Sequence, residues 1–321
     1  MLQRRQFLGL LAGSSVAASA QAQDALPQTI TLIVPQEAGS SPDVYARIIA
    51  DELRVSLGRA IVIENRSGAS GNVGAQAVTR APADGATLLL GSSGLCEINH
   101  LIFETMRWSM SDFAPIVKGA GAVFVLAAHP SVPARTLDEL VAWAKTREGL
   151  AYASYAAGSP GHFLGAQLNT RFALELAHLP YRGSASQATA LVSGHALFGF
   201  ALTQSVLGHV ESGALRALAV TSENRFRLMP GVPTFRELGY PEFSILGWFG
   251  LLARASTPAP LLRTLTRAAV AAHENPRVRD LLLAQGLEAL SEGDAAFAKS
   301  IEAGTARWAA LVKATGFRLT E

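Results

Sequence analysis

Two rhythms of apolar and polar residues alternate along the chain. Short runs of β-branched and aliphatic residues, of which Ile30-Thr31-Leu32-Ile33-Val34 is the clearest, end in Gly/Ser/Pro-rich stretches. These open into segments whose apolar residues recur every three to four positions. The first run leads through Pro35, Gly39 and Pro42 into a predicted helix over 42–56, closed by Gly58 and followed by a strand over 60–64. Gly68 and Gly71 precede a helix near 73–80. A strand over 87–90 ends at Gly91-Ser92-Ser93-Gly94, which reads as the start of a loop reaching Asn99. A second series begins with a run at 124–127, and Thr136 with Glu139 forms a capping box for a helix to about 146. Strand 151–154, a loop to Gly161, a helix from about Pro160, strand 178–181, a turn at 182–184, another helix, strand 197–202, helix 204–212 and strand 216–221 complete it. Such alternation predicts an α/β architecture with parallel strands.

Beyond these, the pattern changes. An extended run over 243–254 is followed by three predicted helices, near 260–273, 276–285 and 295–314. Together with an extended stretch at 113–128 it brackets the middle series, so two extended segments are placed to cross between two lobes. A chain of 321 residues also exceeds one ordinary core. The expected division puts 25–120 with 247–321 in one lobe and 121–246 in the other, the crossings forming a hinge.

Arg4 and Arg5 precede an apolar stretch from Phe7 to Ala20 and Ala-x-Ala sites at 18–20 and 20–22, so residues 1–22 read as a cleavable export signal. The apolar stretch falls short of the roughly 20 residues that span a bilayer. Arg4-Arg5-Gln6-Phe7-Leu8 fits a twin-arginine signal as well as a general secretory one, and either places the mature chain in the periplasm. Removing the signal leaves 25 basic against 25 acidic residues, no electrostatic footprint for nucleic acid or an anionic membrane. Cys96 is the only cysteine, which excludes an intramolecular disulfide. The seven histidines show neither H-x-H nor H-E-x-x-H spacing, and no G-x-S-x-G occurs. Ala69-x-Gly71-x-x-Gly74 lacks the first glycine and the later acidic residue of a dinucleotide site, and no motif surrounds a Cys96–His162 thiol pair. No metal, cofactor or catalytic residue is therefore expected. The repeated unit offers helix N-termini at strand ends instead, whose unpaired N–H groups and partial positive charge suit a small carboxylate.

Short motifs carry a family resemblance: Ile33-Val34-Pro35 with Gly39 and Asp43; Val62-Ile63-Glu64-Asn65-Arg66 with Gly68, Gly71, Asn72 and Gly74; Asp84-Gly85 with Thr87-Leu88-Leu89-Leu90-Gly91. Asp112-Phe113-Ala114-Pro115, Tyr152-Ala153-Ser154 with Gly158 and His162, Pro180-Tyr181, the run from Leu215 to Thr221, and Val232-Pro233-Thr234 continue it. In this order and spacing the chain resembles the receptors of tripartite tricarboxylate transporters, the Bug-type extracytoplasmic solute receptors. The resemblance implies a two-lobed, type II-like periplasmic binding protein with two hinge-crossing strands. It also implies a monomer, not an enzyme, that holds a small organic carboxylate in its cleft and delivers it to membrane permease subunits. A periplasmic sensor subunit signalling to a membrane kinase is the alternative.

Carried over motif by motif, the ligand-binding residues are expected to be Gly39, Ser40, Ser41 and Asp43; Ser92, Ser93, Glu97 and Asn99; Ser154, Gly158 and His162; and Gly183. Asp43 also reads as helix-start chemistry, His162 as a first-turn helix residue, and Glu97 as a solvated or salt-bridged loop residue. Gln36 and Glu37 depart from the family pattern after Pro35, as do Cys96-Glu97 and Ala201, the last standing where an acidic residue is common. The missing carboxylate at 201 and the added charges of Glu37 and Glu97 predict a mono- or dicarboxylate without an amino group. Trp248 and Phe249 read as hinge packing.

Overall fold

The computed structural model describes residues 26–319; the expected export signal over 1–22 lies outside the described residues. Strand β1 (Thr29–Val34) is buried at Ile30 and from Leu32 to Val34, as a central strand covered on both faces should be. Helix α1 (Ser41–Leu57) turns Tyr45, Ala46, Ile49, Ala50 and Leu53 inward at helical spacing and ends at Gly58 in the left-handed region. β2 (Ala60–Asn65), α2 (Asn72–Arg80) and β3 (Thr87–Ser92) follow, with β2 and β3 pairing parallel on either side of β1.

The loop expected over 92–99 is helical. A π turn, Gly94–Ile98, runs into the short helix α3 (Asn99–Ile102), and its helical bonding satisfies the backbone of the buried Leu95, Cys96 and Ile98.

β4 (Phe113–Ala128) matches the predicted extended stretch and is buried over most of its length. Then come α4 (Leu137–Lys145), capped by Thr136, β5 (Ala151–Ser154), α5 (Pro160–Phe172), β6 (Ala177–Pro180), α6 (Ser184–Val192), β7 (Phe198–Leu202), α7 (Thr203–Glu211) and β8 (Arg216–Val220). β9 (Leu246–Arg254), α8 (Ala259–Glu274), α9 (Pro276–Ala284), β10 (Leu287–Gly293) and α10 (Asp294–Thr315) close the chain. The hydroxyl of Tyr45 meets His273 Nε2 at 2.8 Å, which ties α8 to α1. No helix among the described residues is long and apolar enough to cross a membrane.

The parallel expectation holds within each series, β2-β1-β3 and β6-β5-β7, but the joints between them are antiparallel. β4 is shared. Up to Val123 it pairs with β9 and β10; from Phe124 it pairs with β7 and β8. β10 was not predicted: of its seven residues only Leu287 is buried, and its pairing with β4 supplies what its sequence does not.

The return crossing is anchored by stacked rings. Phe200 lies 5.8 Å from Phe235 and Phe235 lies 4.7 Å from Phe243, in the 3₁₀ turn Pro241–Phe243 just before β9. The amide of Ile245 then donates to Thr221 O at 3.0 Å. Replacing Phe243 by Ala is expected to lower stability by about 3–5 kcal/mol through loss of buried area and an unfilled cavity. Urea unfolding checks this; an unchanged midpoint would contradict the anchoring role.

Candidate functional site

A cleft opens where β4 changes partners. Ala122 and Phe124 of β4 and Gly247, Trp248 and Phe249 of β9 form its floor. Gln36, Pro42, Ser92 and Ser93 stand on one wall; Tyr155, Ser184 and Leu202 stand on the other. The cavity itself measures about 20 Å³, room for roughly one water molecule, so the two walls stand nearly closed on one another. A side recess of similar size, about 20 Å³, extends it past Ser70, Gly94, Asn99, Gly158 and Ser159. None of these lining residues carries a charged side chain. Tyr155 lies parallel to Phe124 with ring centroids 6.4 Å apart, which gives the cavity one aromatic side.

Groups from the two walls touch directly. The Ser41 amide, in the first turn of α1, donates to Ser184 Oγ at 3.1 Å, and Ser41 Oγ donates to Gln204 Oε1 at 2.6 Å. Both serines open helices, so two N-terminal turns converge at the cleft; in α1 the Ser41 amide is taken by Ser184 and Pro42 has none, which leaves the unpaired N–H groups chiefly to α6. Ser70 Oγ donates to Ala157 O at 3.0 Å, and Glu37 Oε1 stands 3.4 Å from Ser186 Oγ, which donates to Gly183 O at 3.0 Å.

The expected site residues divide into three groups. Ser92, Ser93, Asn99 and Gly158 lie on the walls of the cavity or its recess. Asn99 donates through Nδ2 to Ser70 O at 3.1 Å and Asn72 Oδ1 at 2.9 Å, which fixes its orientation.

Gly39, Ser40, Ser41, Asp43 and Gly183 shape the walls from behind. Asp43 accepts from the Gly39 amide, from Arg47 Nε and from Asn65 Nδ2, each at 2.9 Å. Burial alone would raise its pKa, but these donors hold it below the ordinary carboxylate value. Asp43 thus clamps the β1–α1 loop, with Gly39 in the left-handed region at φ 79°. Ser40 Oγ donates to Glu37 O at 2.6 Å. At Gly183 a side chain would overlap the Glu37 carboxylate, so its absence lets Glu37 reach the start of α6.

Ser154, His162 and Glu97 do not line the cavity. Ser154 Oγ donates to Ala156 O at 2.9 Å and meets His178 Nε2 at 2.7 Å. His162 accepts the Gly158 amide at Nδ1, 3.1 Å away, and stacks on His178 with centroids 3.8 Å apart. Burial pushes His162 down to about 4; burial and then His162 itself push His178 down to about 3.

Glu97 is neither solvated nor ion-paired, and it does not enter the cleft. The π turn directs it into the interior, 3% exposed, where its oxygens accept from Trp248 Nε1 at 2.6 Å and Trp308 Nε1 at 3.0 Å. Burial pushes it up to about 7, against the two indole donors. Ala201 also faces away, packed with Val206 and Met229 in a buried cluster, so position 201 has no bearing on the cavity's charge. Cys96 is buried, and burial, with Glu97 beside it, pushes its thiol far above the ordinary range, an inert setting.

Gln204 and Ser70 were not anticipated. Gln204 sits in the first turn after β7, where the strand-end rule applies as well as at Ser92, whereas Ser70 adopts φ 53°, which no sequence pattern announced. Among the described residues no group of three or more His, Cys, Asp or Glu side chains is placed to hold a metal ion.

A small cavity between two α/β lobes, floored by two crossing strands, defines a periplasmic binding protein. The chain belongs to the tripartite tricarboxylate transporter family receptors, whose family model matches residues 45–317. It is 34% identical over 316 residues to Protein BugT of Bordetella pertussis, covering 96% of each chain. The structure of R. palustris Rpa4515 with adipate superposes with a TM-score of 0.87 at 31% identity, covering 90% of this chain and 98% of that one. MatC from Rhodopseudomonas palustris with bound malate gives 0.83 at 27% identity over 88% and 98%. These are binding proteins rather than enzymes.

The buried groups set a pH dependence. An unfolded chain takes protons on His162, His178 and His273 from about pH 6.5 downward, whereas the folded chain holds them neutral to about 4, 3 and 4. Stability therefore falls as pH drops below about 6.5. Glu97 acts oppositely: between pH 4.5 and about 7 the fold keeps a proton that the unfolded chain releases, so its contribution is lost as pH rises through that window. Three groups outweigh one. The melting temperature should be lower at pH 5 than at pH 7.5, and Glu97→Gln should steepen that loss. Differential scanning calorimetry checks both, and a higher melting temperature at pH 5 would contradict the assignment.

Proposed function

We propose that this protein is the extracytoplasmic receptor of a tripartite transporter. It captures a small mono- or dicarboxylate without an amino group and presents its closed form to membrane permease subunits. In this reading residues 1–22 export the chain to the periplasm, where it works as a monomer, with 25–120 and 247–321 as one lobe and 121–246 as the other. The carrying observation is the contact of Ser41 with Ser184, which brings two helix N-termini and their hydroxyls together over an uncharged cavity.

A carboxylate placed there is held by dipoles. Ser92, Ser93, Ser184 and Tyr155 offer hydroxyls, Gln36 and Asn99 line the same space, and the opening turn of α6 offers N–H groups. Hydrogen bonds to a charged group are worth about 1.5–3 kcal/mol each, and a partly buried helix terminus up to about 2. Three or four such groups, less the ordering cost of closure, reach the roughly 8 kcal/mol of micromolar binding. The adipate and malate of the similar structures are of this ligand class. With no acidic side chain on the cavity walls an ammonium has no partner there, and Glu37 at the start of α6 opposes a third carboxylate.

Calorimetric titration with acetate, malonate, malate, adipate, citrate and glutamate tests the reading. A mono- or dicarboxylate should bind at micromolar affinity or better, with citrate and glutamate at least about tenfold weaker, and Ser184→Ala should weaken the best ligand about 10- to 100-fold. Tight binding of citrate or glutamate would overturn the charge argument; no binding by any acid would overturn the receptor reading.

A further inference from the structure

One charged side chain reaches across the cleft. Glu37 belongs to the β1–α1 loop, and its carboxylate rests against Gly183, where any side chain would overlap it, with Ser186 Oγ 3.4 Å from Oε1. Gly183 and Ser186 bound the first turn of α6 on the opposite wall. The other contacts between the walls, Ser41 with Ser184 and Gln204 and Ser70 with Ala157, are neutral. Glu37 joins none of the ion pairs among the described residues. Its electrostatic partner is therefore the helix start.

The loop is built to hold the acid there. The Glu37 carbonyl accepts from Ser40 Oγ at 2.6 Å and from the Ser40 amide at 3.3 Å, which closes a turn over 37–40. Asn65 Nδ2 holds the preceding Gln36 carbonyl at 3.1 Å, so the backbone is fixed on both sides of Glu37. On the facing wall, Gln187 is the first residue of α6 whose amide finds a carbonyl within the helix, Gly183 O at 3.1 Å. The amides of Ser184, Ala185 and Ser186 precede it, and Gly183 has no side chain to cap them. A carboxylate over this uncapped turn acts as a capping acid does, but from the other lobe.

We propose that Glu37 is a specificity-determining residue that competes with the ligand: it puts the protein's own carboxylate at the opening of α6, where the ligand's carboxylate is received. The inference rests on the carboxylate-receptor reading above. The field of a helix start falls off within one turn, so two carboxylates drawn to α6 share the same few N–H groups and repel one another. The cavity between the walls holds about one water molecule, so an acid enters only as the walls part. Parting them carries Glu37, with its loop, off α6. Each negative charge on the acid then adds to the repulsion that Glu37 exerts when the walls close again. The residue thus lowers the affinity of every acid and grades them by charge.

The test is calorimetric titration of acetate, malonate, adipate and citrate into the wild type, Glu37→Gln, Glu37→Asp and Glu148→Gln, at low salt and at about 1 M salt. Glu37→Gln keeps the size and removes the charge, whereas Glu37→Asp withdraws the charge from Gly183 by one carbon. Glu148→Gln removes an equal charge from the exposed turn before β5, at the opposite end of that strand from the cleft. At low salt Glu37→Gln should bind the preferred dicarboxylate about 3- to 10-fold more tightly, with a smaller gain for acetate and a larger one for citrate. Glu37→Asp should fall in between, Glu148→Gln should stay within about twofold of the wild type, and high salt should shrink the gain. If Glu37→Gln fails to fold, the order of gains in Glu37→Asp decides. Unchanged or weaker binding by Glu37→Gln, a gain that ignores ligand charge, or an equal gain in Glu148→Gln overturns the proposal while leaving the receptor reading intact. A wild type that binds none of the acids overturns both.

Discussion

The structure depends on one strand being shared by two sheets. β4 runs unbroken from Phe113 to Ala128, and between Val123 and Phe124 its partners change from β9 and β10 to β7 and β8. Because β4 is one continuous strand, the two parallel series meet where its pairing changes. β9 enters at the same level, Leu246 pairing with Val123 directly after the Phe243 ring stack. Strand ends from both series then face one another across a gap whose floor is two extended backbones, the position at which open α/β sheets bind ligands.

The walls of that gap carry dipoles instead of ions, while the charged and titratable groups sit behind them. Asp43 ties down the β1–α1 loop through Arg47, Asn65 and the Gly39 amide. His162 and His178 stack beneath the β5–α5 turn as neutral rings. Glu97 locks two indoles under the floor. Of these, Asp43, His162 and Glu97 are expected site residues that lie one layer behind the cavity walls and hold the elements that form them. A wall of fixed N–H and hydroxyl groups recognises an anion without carrying an opposite charge that would attract any acid indiscriminately.

Sequence pattern reached the elements whose burial is periodic. β1 and α1 were legible from Ile30 to Leu53, and β4 to its last residue, because a long apolar run without helical spacing has few other readings. β10 was illegible because Leu287 is its only buried residue and its ladder comes from β4. The π turn was hidden by Gly91-Ser92-Ser93-Gly94, whose composition reads as a loop although the residues after it pack as a helix. Strand-end position put Ser92 and Ser93, and the family resemblance put Asn99 and Gly158, on what are the walls of the cavity and its recess. It failed where a side chain's direction is set by distant partners: Glu97 turns inward because Trp248, Gly304 and Trp308 receive it, and those lie 151 to 211 residues away for the two indoles.

Closure about the β4 and β9 crossings is the central claim, and a distance measured between the lobes tests it most directly. Val55 at the end of α1 and Thr189 in α6 are exposed, and the native Cys96 is buried, so spin labels at Val55→Cys and Thr189→Cys report the separation by double electron–electron resonance. Saturation with an acid whose binding calorimetry has established should collapse a broad distribution into a single shorter distance. An identical distribution with and without that acid would contradict a receptor that closes on its ligand.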